Sequence, residues 1–439
     1  MFKLIFGLIL IGGGFLQALF ADPVWGLYLF AALTHIRLEQ LGENFTLPLR
    51  IPIVIASVTI VMYVFSSKYA SKFSKWPLEV WLFGIMVLGM CLGADSAKFD
   101  PQMSWGLATD YLKYWIFFIL FVQMIDSIKK VEQFHWVMIL SAAWLVYRCW
   151  DLRGTTGPRF ENLGGGSVSD ANHFAAALVL LFPFVFQKVF ASDRKVALGA
   201  AILCFGVIMG IIISGSRGGF LGIGALAALI LFSYRGQRWK IFGLLAIVGL
   251  VALAFVSEYQ MERFESIFEA VDPGQRDRSI QLRLEFWGLA VQLFRENPIL
   301  GIAPGEFAYY SGFLVEGHHY GVPGHVTHSL WFEMLTQGLV VVVPFLIMIM
   351  RFFWKSWYLV RQYRAAGEHE AASYVLTPML ALAAFFVPAT FLDRSVYEPI
   401  YWCIGLGIAH RYIFEKRAQE VVERAPRDMP PDDVMLTRP

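Results

Sequence analysis

"VALGAAILCFGVIMGIIISGSRGGFLGIGALAALILF", residues 196–232, carries a single charge, Arg217. A helix needs about 20 apolar residues to cross a bilayer. The stretch therefore reads as two membrane-grade helices, 196–213 and 217–233, joined by a Ser-Gly-Ser break. The composition around it agrees: of 439 residues, 57% are hydrophobic and 16% charged, with mean hydropathy +0.57. Soluble domains carry about 25% charged residues, so the chain is an all-α polytopic membrane protein. A net charge of +2, scattered over short loops, points to no nucleic-acid partner. Cys91, Cys149, Cys204 and Cys403 lie far apart, in or beside apolar segments, and make neither a disulfide framework nor a metal-ligand spacing. Residues 1–36 lack a small-residue cleavage site and read as membrane helix rather than a removed signal peptide.

Working outward, the apolar segments are 2–20, 23–36, 50–66, 77–93, 109–126, 133–149, 171–191, 196–213, 217–233, 240–257, 327–352, 373–392 and 396–413. The first two share the break at Asp22-Pro23 and form a hairpin or one distorted crossing. The count is therefore about 12 transmembrane helices (12–13). Lysine and arginine gather in alternate loops: Lys68 to Lys75, Lys129-Lys130, Lys188 to Lys195, Arg235 to Lys240 and Arg351 to Arg364. The positive-inside rule places these loops and the C-terminus in the cytoplasm. Segments 37–49, 94–108, 151–170, 214–216, 258–326 and 393–395 then face outward. The organisation is membrane helices over 1–257, a helical outward-facing domain over 258–326, membrane helices over 327–416 and a disordered cytoplasmic tail over 417–439, where Pro426, Pro430 and Pro431 stand among mixed charges.

The outer domain is too long for a simple turn. Its "SIQLRLEFWGLAVQLFREN", 279–297, places Leu282, Phe286, Leu289 and Leu293 on one helical stripe. Ser279 is a candidate cap, and Asn297-Pro298 with Gly301 ends the helix.

Three groups invite a chemical reading. Arg217 is flanked by Ser214, Gly215, Ser216, Gly218 and Gly219, which clear bulky side chains from around the guanidinium. Glycines let backbone amides approach an anion, and a helix N-terminus at the same place adds positive potential. That suits a phosphate; the alternative is a boundary arginine snorkelling to headgroups. Second, Arg283 falls in the first turn of its helix, where a cation opposes the dipole unless an anion is near. Arg295, on the same helix, fits a solvated face. Third, "GHHYGVPGHVTHSLWFEMLTQGLV", 317–340, holds His318, His319, His325 and His328. His325 and His328 have an i, i+3 spacing, but Gly321, Pro323 and Gly324 break the geometry and no cysteine is near, so a metal site is not expected. His328 opens a membrane helix with Glu333 just over one turn below. It reads as a boundary histidine or as a neutral imidazole acting as base.

"SGSRGG", an arginine followed by Trp and "ENPILGIAPGEF", and "HSLWFEMLTQGL" together resemble the O-antigen ligase and O-antigen polymerase superfamily. "GPRFENLGGGSVSDANHFAAAL", 157–178, fits an earlier outer loop of that family. The resemblance covers roughly 150–345. It departs at Gln337, where an acid is common, and at Ile302-Ala303, which stand in the usual Gly-x-Gly.

The resemblance implies a GT-C-like glycosyltransferase in a Gram-negative inner membrane, its active site facing the periplasm. The donor would be O-antigen on undecaprenyl pyrophosphate and the acceptor the lipid A–core oligosaccharide. His328 would be the base and Arg217 and Arg283 would hold the pyrophosphate. Ser216, Gly218, Gly219, Arg295, His325, Asp170 and Asn172 would contact substrate. No cofactor is implied, and no Asp-x-Asp precedes the tail to clamp a metal. An O-antigen polymerase or protein O-glycosylation ligase of the same superfamily would share these motifs. A lipid-linked glycan transporter, from a different class, would line a path with charges inside the spans.

Overall fold

The computed structural model of the protein describes residues 2–36, 51–66, 68–69, 76–152, 170–234, 238–239, 241–243, 246, 249, 256–269, 278–314, 323–392 and 397–424. All regular structure among them is helical, with no strand. The predicted span 240–257 falls mostly outside the described residues. So do the loops 37–49 and 153–169, His318, His319 and the tail beyond Arg424.

Helices α1 (Phe2–Phe20) and α2 (Val24–Leu33) are separate. They form a hairpin, with Gly14 of α1 packed on Leu29 of α2. Asp22 caps the turn by accepting from the Val24 amide at 3.0 Å. Its carboxylate also receives Lys68 and the Tyr69 hydroxyl. Burial pushes this carboxyl up, but the Lys68, Tyr69 and Val24 bonds outweigh burial and hold it below the usual range.

The chain continues through α3 (Ile51–Phe65), α4 (Leu78–Asp95), α5 (Pro101–Met124), α6 (Ile128–Asp151), α7 (Ala171–Lys188), α8 (Arg194–Ile213) and α9 (Arg217–Ser233). The segment predicted at 109–126 starts a turn and more earlier. Asp100 accepts from the Met103 amide at 2.9 Å and Pro101 occupies the first helical position, which fixes the start there. After α9 come α10 (Glu258–Glu269), α11 (Arg278–Glu296), the short α12 (Phe307–Tyr310), α13 (Leu330–Thr336), α14 (Leu339–Ala365), α15 (His369–Ala389) and α16 (Glu398–Arg424). The last helix thus extends eight residues into the segment read as a disordered tail, 417–424.

Among the described residues six helices are long and apolar enough to cross a membrane: α4, α5, α7, α8, α14 and α15. α7 is the central one. Its window is 89% buried inside the protein, against 28% for α8, so α7 is wrapped by neighbours while α8 keeps most of its surface outward. Packing fixes the directions. α7 and α9 run parallel, with Asn172 beside Ser216 at one end and Val179 against Gly222 further along. α15 runs antiparallel to both: Pro388 meets Gly218 and Gly222 at that same end, while Tyr374 meets Lys188 at the other, where Arg364 at the end of α14 also meets Ser233. Among the described residues, the basic positions Lys188 and Arg364 lie at this second end, with Lys130 two residues from Glu132, the partner of Lys188.

Candidate active site

The predicted helix at 327–352 is two helices. Leu330–Thr336 stops at Gln337, and Gly338, with φ +78°, restarts the chain as Leu339–Ala365. The break exists because another strand of chain passes through it. The Ile302 amide donates to the Thr336 carbonyl at 2.8 Å, and the Leu339 and Val340 amides donate to Pro298 and Ile299 at 2.9 and 3.2 Å. Gly301 sits inside this crossing at φ +66°, where an added Cβ would lie 2.1 Å from the Thr336 carbonyl oxygen. The glycine run of "NPILGIAPG" thus allows two backbones to meet. Gly305, not residue 303, takes the next left-handed position, which is how the chain accommodates Ile302-Ala303. Gly301→Ala is expected to lower stability by at least about 1–2 kcal/mol from the left-handed backbone alone. The clash adds to this and should appear as faster proteolysis of the outer domain.

The loop is tied down further by Glu306, 1% exposed. Its carboxylate accepts from the Phe99 and Asp100 amides at 2.5 and 3.3 Å, while Ser104 donates to the Pro304 carbonyl at 2.8 Å. Tyr309 donates to Asp100 at 3.0 Å, and that bond with the adjacent negative charge raises its phenol above the ordinary value. The acid of "PGEF" therefore anchors the outer domain to the α4–α5 turn. Its signal was an isolated glutamate in an apolar setting, and it was not singled out from the sequence.

α11 begins at Arg278, so Ser279 lies inside the helix rather than capping it, and Arg283 is in the second turn. The dipole argument for Arg283 weakens accordingly, because the effect fades within the first turn. It applies instead to Arg217, the first residue of α9. The apolar stripe of α11 packs as read: Phe286 and Leu293 are buried with Ile302, Phe307 and Tyr310, with Leu282 and Leu289 against them. Three and four residues beyond Arg283, Phe286 lies 5.8 and 6.0 Å from the His325 and His328 rings, and Trp287 stacks on Phe332 at 5.1 Å. Arg283 shares that side of the helix by spacing. Arg295 is exposed and lies half a turn round from Phe286, so the structure does not bring it to this cluster.

His328 does not open a membrane helix. It precedes the short α13, with Ser329 at the cap, and its φ is +50°. Among the described residues it is the one non-glycine residue with positive φ. Such a conformation costs of order 1–3 kcal/mol and gathers at functional sites. The His325 ring is 5.7 Å away; His325 itself is exposed, held by a two-way bond between its backbone and the Ser311 hydroxyl. Among the described residues no three His, Cys, Asp or Glu side chains gather to hold an ion.

At Arg217 the small residues have roles the sequence did not disclose. Ser216, 1% exposed, caps α9 by accepting from the Gly219 amide at 3.1 Å and donates to Asn172 Oδ1 at 2.9 Å. Asp170 caps α7 by accepting from the Asn172 amide at 2.8 Å. A Cβ at Gly219 would stand 2.7 Å from that of Ala175, so this glycine serves helix packing. Gly218 lies against Pro388. Asp170, Asn172 and Ser216 thus build the platform that positions Arg217.

The two halves meet at the end of α15. Pro388 touches Gly218; two residues on, Thr390 accepts from the Trp331 indole at 3.1 Å, and Phe391 lies 6.2 Å from Trp287. Arg217, Arg283 and His328 therefore border one corner of the bundle, at the end opposite the basic loops.

Residues 199–346 match the family model described as O-antigen ligase. The match runs from α8 into α14 and includes Arg217, Arg283 and His328. It shows the similarity to the O-antigen ligase superfamily that the motifs suggested. The matched family implies glycosyltransferase-like ligase or polymerase activity, and with the apolar helices it indicates an integral membrane protein. No curated protein matches the chain.

Proposed function

We propose that the protein is an O-antigen ligase: it moves O-antigen from undecaprenyl pyrophosphate to the lipid A–core oligosaccharide at the periplasmic face of a Gram-negative inner membrane. The chain crosses that membrane twelve or thirteen times in a GT-C-like arrangement, basic loops and C-terminus in the cytoplasm. The observation that carries this is the strained His328, held beside Phe286 at the corner where Arg217 starts α9.

The chemistry follows from the groups. An acceptor hydroxyl is a poor nucleophile until a base takes its proton, and a neutral imidazole does so near pH 7. The hydroxyl oxygen bonds to the anomeric carbon as the bond to the pyrophosphate oxygen breaks, inverting that carbon. The proton ends on His328 and is returned to water. The leaving pyrophosphate carries the bonding pair and needs positive charge rather than a general acid. The planar forks of Arg217 and Arg283 supply it, aided at Arg217 by the positive end of α9. His325 borders the acceptor side.

Metal removal gives one test. Transfer by the purified protein is expected to continue in excess EDTA without added Mg²⁺ or Mn²⁺. Full loss, restored by one divalent ion, would overturn the two-arginine account of the leaving group.

The superfamily relatives differ in acceptor, so product analysis separates them: a longer lipid-linked glycan for a polymerase, a glycosylated polypeptide for a protein ligase. The transporter reading is disfavoured by how inward charges are used. Glu79, with its side chain 1% exposed, is held by Arg411 at 2.8 Å and Arg351 at 3.3 Å, a tie between helices rather than the lining of a path.

A further inference from the structure

At the basic-loop end, away from the corner just described, a cavity of about 1020 Å³ opens between α6, the α7–α8 connection, the end of α9 and the α14–α15 hairpin. That is at the upper end of small-ligand sites, about 300–1,000 Å³. Its lining divides by chemistry. Lys188 and Arg364 supply two cations, and Glu132, Asp193 and Glu370 supply carboxylates. Lys188 is nearly buried and donates to Glu132 and to the Tyr374 hydroxyl at 3.0 and 2.9 Å. An ammonium has three hydrogens, and among the described residues these are its two hydrogen-bond acceptors. Arg364 spends one nitrogen on the Ser233 carbonyl at 3.0 Å, which leaves most of its five donors for other partners. Around the mouth, Trp136, Phe190, Phe232 and Trp357 are exposed. Aromatic rings exposed near helix ends mark the membrane–water boundary.

We propose that this cavity is a phospholipid site for a headgroup bearing both charges, a phosphate diester and a primary ammonium. The phosphate lies between Lys188 and Arg364, the ammonium reaches the carboxylates of Glu132 and Glu370, and the acyl chains leave along the exposed aromatics. A headgroup with a phosphate alone would meet three carboxylates and two cations, a poor match. A headgroup with both charges pairs each. Basic sites between helices on the cytoplasmic side are a known mode of lipid recognition; here the acids set the preference. This inference concerns the opposite end of the molecule and stands whether or not the glycan-transfer reading holds.

Native mass spectrometry of the full-length, detergent-purified protein tests it, with phosphatidylethanolamine, phosphatidylglycerol and inorganic phosphate titrated separately. The expected result is one tightly held phosphatidylethanolamine per chain, with phosphatidylglycerol about tenfold weaker. Arg364→Gln should weaken both lipids about tenfold, the scale of one charge-assisted bond. Glu370→Gln, at an exposed position that folding does not need, should weaken phosphatidylethanolamine alone. Equal retention of the two lipids, or insensitivity of phosphatidylethanolamine to Glu370→Gln, would overturn the two-charge assignment. Saturation by inorganic phosphate that displaces the lipid would show an anion site rather than a lipid site.

Discussion

Replacing His328 is expected to abolish glycan transfer while leaving the protein folded and in the membrane. Base catalysis contributes about 10²–10⁴-fold, so the residual rate should sit that far below wild type. The choice of substitute matters because of the backbone. At φ +50° alanine introduces its own strain, whereas asparagine adopts the left-handed conformation readily and cannot act as the base. His328→Asn should therefore keep wild-type thermal stability and lose activity as fully as His328→Ala. If His328→Asn transfers glycan near the wild-type rate, the base lies elsewhere, and His325, 5.7 Å away ring to ring, is next to test.

The second large effect is expected at Arg217. A guanidinium holds two phosphate oxygens through a planar fork, while an ammonium keeps the charge without the fork. Loss of one charge-assisted bond is worth about 1.5–3 kcal/mol, so Arg217→Lys should lower donor binding or turnover roughly ten- to hundredfold. A boundary arginine that only snorkels predicts no change, because lysine snorkels equally well. If Arg217 and Arg283 grip one pyrophosphate, their effects couple. Arg217→Lys combined with Arg283→Ala should lose less than the sum of the single losses. Additive losses would place the two cations on different groups. Ser216, Asn172 and Asp170 fix the backbone at the start of α9 through their own hydrogen bonds, which Arg217→Lys leaves in place.

What was legible in the sequence depends on the range of the forces involved. The stripe Leu282, Phe286, Leu289, Leu293 packs where its spacing placed it, because amphipathic periodicity is local information. The break at Gln337-Gly338 was hidden inside an apolar run, because it is imposed by Gly301, 37 positions away in sequence, crossing through it. The same holds for Gly219. A glycine beside an arginine suggests room for a ligand, yet its neighbour is Ala175 of another helix. Ser216, too, a small residue read as clearing space around Arg217, uses its hydroxyl for the helix cap and Asn172. Arg295 was placed correctly on a solvated face by its spacing, and its candidacy came only from the resemblance. The left-handed backbone of His328 left no trace in composition, since the fold imposes it just before a short helix.

The central claim is that the corner bordered by Arg217, Arg283 and His328 carries glycan from a lipid pyrophosphate to a lipid A–core acceptor. Incubating the purified protein with undecaprenyl-pyrophosphate-linked O-antigen and lipid A–core tests it most directly, with the products resolved by gel mobility and mass. The account predicts a lipid A–core band shifted by the mass of the glycan, with one undecaprenyl pyrophosphate released per transfer and no product from His328→Asn. Growth of the lipid-linked glycan with the lipid A–core unchanged would contradict it and assign the same corner to chain extension instead.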